Sequence, residues 1–313
     1  MTHIPLAGGA EFDRIRAIAA ALGSRARELG NDTALVRLGE TTVALSADVS
    51  VEGVHFRREW LSLEEIGWRA AAAALSDLAA AGAEVIGVLG ALTIPAAEPM
   101  STFVALMQGV GAAADAVGGK VLGGDLSRGD ALALALTVIG TAPRPVTRAG
   151  AAPGDLLWVT GELGGARAAL TAFITGREPD PPARQRFARP EPRIAAGRWL
   201  AAHGAKAMLD VSDGLAGDAG HLAAASGVAI RVELERLPCH PSVAAEAALA
   251  GEPAAVFAAK GGEDYELLAV LPSDFAGAPG FPFRQVGEVR AGEGLTLELN
   301  GSPVVLSGYE HFA

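Results

Sequence analysis

The chain has 313 residues, half of them hydrophobic and 19% charged, with a formal net charge of −11. This length can bury a large core, and we expect two domains. The acidic charge, with no basic run longer than Arg57 and Arg58, argues against nucleic-acid binding, and no apolar run of about 18 residues predicts a transmembrane helix. The single cysteine, Cys239, excludes an internal disulfide and a cysteine-based metal site, and the start MTHIPLAGGAEFDRIR lacks a secretory pattern, so we expect a cytoplasmic protein.

In the first part of the chain, hydrophobic periodicity predicts alternating helices and strands. The predicted helices are 9–29, 62–81 and about 99–117, and the predicted strands are 41–56, 85–94 and 131–141. Ser62 is a plausible N-cap for the second helix, because Glu64 and Glu65 follow in its first turn. A further strand precedes 131–141, and the GGD triplet is expected in the turn between the two.

The stretch 142–154 is rich in proline, glycine and alanine, and it predicts a domain boundary, with domains at 1–143 and 144–313. Beyond it, DLLWVTG predicts a strand that enters a glycine-rich turn and a helix. The segment 177–193 is too polar and proline-rich for regular structure, and a helix to about 203 and a strand at 206–211 follow. A helix is predicted from Asp213 or Gly214, and strands alternate with helices after it. The whole pattern predicts an α/β (α+β) chain of two domains.

Short turns with small or apolar neighbours carry most of the chemical information in this sequence. Six aspartates lie in such turns: Asp32, Asp48, Asp77, Asp125, Asp210 and Asp213. An isolated buried carboxylate costs several kcal/mol, so a chain that buries several must supply cations. Hard divalent ions held by carboxylates usually also bind phosphates, which indicates phosphoryl transfer or related ATP chemistry.

Taken one at a time, these aspartates have ordinary structural interpretations. Asp213 fits a helix N-cap, Asp32 a turn residue, and Asp48 an edge-strand residue, while Asp125 follows two glycines as in a simple turn. Asp77 lies in an alanine-rich helix with no basic residue three or four positions away. There is no GxxxxGK[ST], no GxGxxG between a strand and a helix, and no HRD or DFG set, so metal ions and backbone amides would have to hold any ATP phosphates.

The order of motifs along the chain resembles the thiamine-monophosphate kinase family. The motifs are GNDTALV, ADVSVEGVHF, LSDLAAAGA, GGD, TRAGAAPGDLLWVTG, RPEPR, DVSDGL, GGEDYEL and GYEHF, from about Gly9 to Phe312. The resemblance implies a two-domain homodimer, in which the N-terminal mixed sheets form a barrel across the dimer interface, close to the nucleotide. It also implies direct transfer of the γ-phosphoryl of ATP to thiamine monophosphate, which gives thiamine diphosphate and ADP with the help of several Mg²⁺ ions.

Residue by residue, the resemblance implies roles for particular side chains. Asp77, Asp125 and Asp210 would take part in catalysis. The metal-ligand positions are Asp32, Ser46, Asp48, Asp77, Asp125, Asp210 and Asp213. The nucleotide positions are Gly124, Asp125, Arg148 and Ser212, and the acceptor positions are His55 and Glu263, with Tyr309 or Phe312 as the ring beside thiamine. Without the resemblance, His55 would be interpreted as a core histidine and Tyr309 as terminal packing.

The chain departs from the family pattern at four positions near these motifs. Asn31 replaces an acidic residue, Ala47 and Leu126 replace threonines, and Ala74 replaces an asparagine. Loss of one auxiliary contact to a metal weakens its affinity on the order of 10–100-fold. Two alternatives therefore stay open: another ATP-dependent enzyme of the same superfamily with a different acceptor, or a non-catalytic nucleotide-binding regulator.

Overall fold

The computed structural model describes residues 8–26 and 29–309, which form two mixed β-sheets packed against helices. The N-terminal sheet has the spatial order β1-β2-β5-β3-β4, with β3 and β4 parallel and the other pairs antiparallel. Its strands are β1 (Ala34–Leu38), β2 (Thr41–Val51), β3 (Glu84–Ile94), β4 (Lys120–Arg128) and β5 (Ala133–Thr141). The helices of this half are α1 (Ala10–Leu22), α2 (Leu63–Ala80) and α3 (Met100–Ala116), and a short 3₁₀ helix, Gly23–Arg25, follows α1.

The long helix α2 is the element that positions the site. Its start is fixed by a capping box, in which the Ser62 side chain accepts the Glu65 N–H and the Glu65 carboxylate accepts the Ser62 N–H. After α2, the chain turns at Gly82, whose φ of +66° suits glycine. Most of the alanine-rich helix is buried, so it is surrounded by protein along nearly its whole length.

The C-terminal sheet has seven strands in the order β12-β11-β8-β10-β6-β9-β7, in which β11 and β8 are parallel. Its strands are β6 (Leu156–Thr160), β7 (Ala207–Asp210), β8 (Ala229–Glu233), β9 (Leu267–Leu271), β10 (Phe283–Arg290), β11 (Gly294–Leu299) and β12 (Ser302–Val304). Its helices are α4 (Gly165–Ile174), α5 (Pro181–Ala188), α6 (Ile194–Ala202), α7 (Leu215–Ser226), α8 (Val243–Ala250) and α9 (Ala254–Ala259), with a 3₁₀ helix at Leu234–Arg236. Strand β9, which lies between β6 and β7, is buried over all its residues, which fits its continuous apolar sequence.

Three predictions of local structure were wrong. The segment 177–193 is not irregular, because it contains α5, which begins with two prolines at its first positions, where a missing N–H costs little. The GGD triplet lies inside β4 rather than in a turn, because Gly124 pairs with Gly90 of β3, so closely that a Cβ would lie 1.9 Å from the Gly90 carbonyl oxygen. Asp213 does not cap α7, whose N-cap is Gly214, without a side-chain capping hydrogen bond.

Helix α2 also joins the two halves of the molecule. Arg184 of α5 forms a two-pronged ion pair with Glu65, with N–O distances of 2.8 and 2.9 Å. The Trp68 indole N–H donates to the Pro190 carbonyl at 2.9 Å. Gly197 of α6 packs against α2 so tightly that a Cβ there would lie 2.0 Å from the Ala79 carbonyl oxygen.

None of the helices in the described ranges combines the length and apolar character that a membrane span needs.

Candidate active site

A cluster of aspartates lies where the two halves meet. Asp32 precedes β1, Asp77 lies on α2 and Asp210 ends β7, and one carboxylate oxygen from each lies within 4.8 Å of the others. Ser46 of β2 donates its hydroxyl hydrogen to the Asp77 carboxylate. Asp48, two residues further along β2, is close enough to raise the pKa of both Asp77 and Asp210. Elements from both halves thus supply what we call the acidic cluster: Asp32, Asp48, Asp77 and Asp210.

The charge of this cluster is not fully compensated by the protein. Burial raises the pKa of Asp77 well above its usual value, and the carboxylates of Asp210, Asp32 and Asp48 raise it further. Burial, followed by the charge of Asp32, raises the pKa of Asp210 to about 7. Carboxylates held together at such a cost favour a bound cation, and hard oxygen ligands are those that Mg²⁺ prefers.

Arg148 is the cation that the chain itself places against the cluster. Its Nε donates to Asp32 Oδ1 at 3.0 Å, and its Nη2 donates to the same oxygen. Its backbone N–H donates to Asn31 Oδ1 at 3.3 Å, and its carbonyl accepts the Ser226 hydroxyl at 3.2 Å. The nearby carboxylates, Asp32 foremost, raise the pKa of Arg148 although its burial opposes this. Asn31, one of the departures from the family pattern, therefore helps to position Arg148.

A cavity of about 560 Å³ opens beside the acidic cluster. Asp48, Asp77 and Asp210 border it together with Ser212 and Asp213. The predicted acceptor residues also line it: His55, Glu263 and Tyr309. The structure thus brings most of the predicted side chains to one place, while Phe312 lies outside the described residues.

The backbone around Glu263 is strained in a way that fixes this residue in the cavity wall. Glu263 and Tyr265 have φ values of +63° and +51°, which side chains other than glycine rarely adopt. Backbone hydrogen bonds hold the segment in place, from the Glu263 N–H to the Ser212 carbonyl at 2.7 Å and from the Tyr265 N–H to the Val211 carbonyl at 2.9 Å. The Glu263 carboxylate forms an ion pair with Arg69 of α2, which is itself buried.

The motifs RPEPR and GGEDYEL meet in a buried ion-pair network next to this wall. Glu266 is fully buried and accepts hydrogen bonds from Arg193, at 2.8 and 2.7 Å, and from Arg186 and Thr160. These partners, with the nearby charge of Arg186 foremost, hold the pKa of Glu266 below its usual value despite burial. The two motifs therefore have a structural role, which is to fix the strained segment that carries Glu263.

Within the single chain, two predicted residues join neither the cavity wall nor the acidic cluster and its partners. Gly124 and Asp125 lie on β4, the edge strand at the far end of the N-terminal sheet from β1. Asp125 is exposed, and among the described residues it belongs neither to the three-aspartate group nor to the cavity wall. The Ala47 departure is also displaced from the cluster, because alternation along β2 puts its side chain on the face opposite Ser46 and Asp48.

Several cations in the cavity wall were not predicted from the sequence. They are Arg57, Arg69, Arg167 and Lys260, and the wall also contains Trp60. The Arg57 guanidinium lies 4.8 Å from the centre of the Trp60 ring. The only sequence signal for these cations was the pair Arg57 and Arg58 after VEGVHF, since the other cations are far apart along the chain. A cavity whose wall carries both carboxylates and cations suits an anionic ligand that also meets metal ions.

Known proteins match this chain along nearly its whole length. Residues 30–142 match the N-terminal domain model of AIR synthase related proteins, and residues 152–300 match the C-terminal domain model. The thiamine-monophosphate kinase of Aquifex aeolicus is 33% identical over 96% of this chain and 98% of its own length. That of Escherichia coli K12 is 35% identical, over 96% of each chain.

The fold of the chain also resembles that of a solved structure. AaThiL complexed with AMPPCP and TMP superposes with a TM-score of 0.89 at 33% identity, over 96% of this chain and 97% of that one. Both matching domain models and these near full-length similarities show that the chain belongs to the thiamine-monophosphate kinase family of AIR synthase related proteins.

Proposed function

We propose that the chain is a magnesium-dependent kinase that transfers the γ-phosphoryl group of ATP to the phosphate of thiamine monophosphate. The observation that carries the proposal is the acidic cluster on the edge of a cavity lined by cations and aromatic rings. The likeness to thiamine-monophosphate kinases, and to AaThiL bound to AMPPCP and TMP, favours ATP and thiamine monophosphate as the two substrates.

The metal ligands in this proposal are the carboxylates of the acidic cluster, with Asp213 in the adjoining cavity wall and Ser46 held against Asp77. Bound Mg²⁺ would neutralise charge on the phosphate oxygens during transfer. The three carboxylates that lie within 4.8 Å fit such an ion, since they offer hard oxygens, and burial and neighbouring carboxylates raise the pKa of Asp77 and Asp210.

The remaining residues bind and orient the two substrates. Arg148 presents a fixed guanidinium beside Asp32, where it can bind phosphate oxygens, and Ser212 borders the cavity. His55 accepts the Val51 N–H at its Nδ1, at 3.1 Å, so the neutral ring carries its proton on Nε2 and can donate there. The acceptor phosphate is already a nucleophile, so the chain need only position it and neutralise charge.

The proposal includes a homodimer built on the uncovered face and edge of the N-terminal sheet. All nine residues of β4 are exposed, and its unpaired edge would be a site for aggregation if it stayed open. Large apolar side chains on the same sheet are exposed, among them Val49, Ile86, Leu122 and Leu126. A second copy that covers them would bring the partner's copy of β4 toward the cavity, and we infer that Asp125 acts there in trans.

The test of the site is a matched pair of aspartate variants. Asp77→Asn removes one carboxylate of the cluster, and we expect the formation of thiamine diphosphate to fall at least about 100-fold because charge neutralisation fails. Asp274→Asn makes the same chemical change at an exposed position outside the cavity and should leave the rate unchanged. Equal rates for both variants at limiting Mg²⁺ would reject the acidic cluster as the site of transfer.

A further inference from the structure

Two cations in the cavity wall share one carboxylate behind them. Arg167 of α4 and Lys260, which follows α9, both line the cavity, whereas Glu252 does not. Arg167 donates to Glu252 Oε2 at 3.0 Å and Lys260 donates to Glu252 Oε1 at 2.6 Å. Two positive charges against one negative charge leave a net positive charge on this part of the wall.

The two cations differ in how firmly they are held. The Arg167 guanidinium also donates to the Phe257 carbonyl at 2.8 Å and lies 3.9 Å from the centre of the Phe257 ring, so its position is fixed. The Lys260 side chain is 35% exposed and ends in a compact ammonium on a flexible stem. Hydrogen bonds from Arg167, and then from Lys260, lower the pKa of Glu252, so its carboxylate stays charged and keeps both cations in place.

The backbone of Lys260 lies against the DVSDG turn that carries Ser212 and Asp213. A Cβ on Gly214 would lie 3.3 Å from the Lys260 carbonyl carbon, and a Cβ on Gly262 would lie 2.6 Å from the Ser212 carbonyl oxygen. Lys260 therefore emerges from the wall beside the turn at which the cavity meets the acidic cluster. The Lys260 side chain also lines the cavity, so its flexible stem can bring the ammonium from Glu252 to a phosphate bound between the cavity and the cluster.

We infer that Lys260 is a binding residue for the phosphate of the acceptor substrate, and that Arg167 and Glu252 are positioning residues that hold its ammonium at the cavity wall. The inference rests on the proposed function, because it takes the acceptor to be a phosphate ester. It also gives the cavity a means of preferring the phosphate ester to the free alcohol, since the thiazolium cation of thiamine is repelled by Lys260 unless the phosphate accompanies it.

The test compares binding of thiamine monophosphate and of thiamine to the full chain by calorimetry, with Mg²⁺ and without nucleotide. In Lys260→Gln we expect thiamine monophosphate to bind about 10–100-fold more weakly, which is the usual loss for one charge-assisted hydrogen bond, while thiamine binds at least as tightly as before because a repelling charge is gone. Lys260→Arg should recover most of the affinity, and Lys206→Gln is the matched control, because Lys206 pairs with Asp155 outside the cavity. In turnover, Lys260→Gln should raise the KM for thiamine monophosphate and leave the KM for ATP unchanged.

Three results would overturn the inference: unchanged affinity for thiamine monophosphate, an equal loss of affinity for thiamine, or a rise confined to the KM for ATP. The second would mean that Lys260 shapes the cavity, and the third that it binds the nucleotide. If the unmutated chain binds thiamine monophosphate in a Lys260-dependent way but forms no thiamine diphosphate, the proposed function fails and the phosphate-binding role of Lys260 stands.

Discussion

At the scale of single residues, the acidic cluster makes the metal-free protein sensitive to pH. The folded chain binds the protons of Asp77 and Asp210 more tightly than an unfolded aspartate with a pKa of about 4 does. Their contribution to stability is therefore complete below pH of about 4 and is lost as the pH rises through about 7, the folded pKa of Asp210. Without Mg²⁺, we therefore expect the midpoint temperature of thermal unfolding to decrease as the pH is raised from 5 to 8.

Calorimetry across this pH range, with and without Mg²⁺, checks the expectation. Because Mg²⁺ binds the ionised carboxylates, it should remove most of the fall. Burial also raises the pKa of Asp264, in the C-terminal half, to about 7, so the unmutated chain alone does not isolate the acidic cluster. The variant Asp210→Asn does so. We expect its free energy of unfolding to change with pH by at least about 1 kcal/mol less over this range than that of the unmutated chain. An Asp210→Asn profile parallel to that of the unmutated chain would contradict the charged-cluster account.

Asn31 gives a second prediction at this scale. Its side-chain oxygen accepts the Arg148 N–H, and a carboxylate can accept it equally well. Asn31→Asp should therefore keep turnover within about threefold, whereas Asn31→Ala should raise the KM for ATP about fivefold, the usual value of one hydrogen bond. Steady-state kinetics at saturating thiamine monophosphate measure both. A large loss in Asn31→Asp alone would show that the added charge near Asp32 matters more than the hydrogen bond.

At the scale of elements, α2, the helix that carries Asp77, packs closely against α3. The two helices cross at a pair of glycines, since a Cβ on Gly67 would lie 2.0 Å from the Leu106 carbonyl oxygen and a Cβ on Gly109 would lie 2.0 Å from the Glu64 carbonyl oxygen. Such a close approach leaves no room for a methyl group, and the backbone would have to shift.

Gly109→Ala should therefore lower the free energy of unfolding by about 2–3 kcal/mol, as overpacking does. Gly111→Ala in the same helix is the control, because its Cβ would have its nearest contact at 3.9 Å, and alanine there should be neutral or stabilise by up to about 1 kcal/mol. Urea denaturation of both variants measures the difference. If the two behaved alike, the glycine crossing would not determine the helix spacing.

The sequence was sufficient for elements whose signals are local. Ser62 and Glu65 fix the start of α2, and the predicted strand 206–211 and the helix that follows Asp213 agree with β7 and α7 to within a few residues. It was not sufficient for α5, because the prolines that begin this helix also suit a loop, and its burial against α2 comes from distant residues. The sequence does not distinguish a strand from a turn at GGD, because glycines that allow strands to approach closely look the same in sequence as glycines that allow a turn.

The same distinction holds for the candidate site. The aspartates could be predicted because their apolar settings stand out in a sequence, and three of them lie together. The cations Arg69, Arg167 and Lys260 could not, because charged residues in helices and loops usually belong to solvated faces, and only the fold brings these three to one cavity. The domain limits and the roles of the individual site residues stay predictions.

At the scale of the whole molecule, the position of Asp125 predicts an active site shared between two copies. If Asp125 acts in trans, Asp77→Asn and Asp125→Asn are each inactive alone. A mixed dimer of the two restores one complete site, so random subunit exchange should give about a quarter of the unmutated activity. Light scattering before and after exchange checks that the protein is dimeric. Exchange that forms mixed dimers without any recovery of activity would place Asp125 in cis or outside the reaction.

Phosphorus NMR of one reaction tests directly whether the chain transfers the γ-phosphoryl group of ATP to thiamine monophosphate. The unmutated chain, incubated with ATP, Mg²⁺ and thiamine monophosphate, should convert the γ-phosphorus of ATP into the terminal phosphorus of thiamine diphosphate, one for one with ADP. Conversion of the γ-phosphorus of ATP into inorganic phosphate, or ADP formation with thiamine monophosphate unchanged, would contradict transfer to thiamine monophosphate and favour a different acceptor.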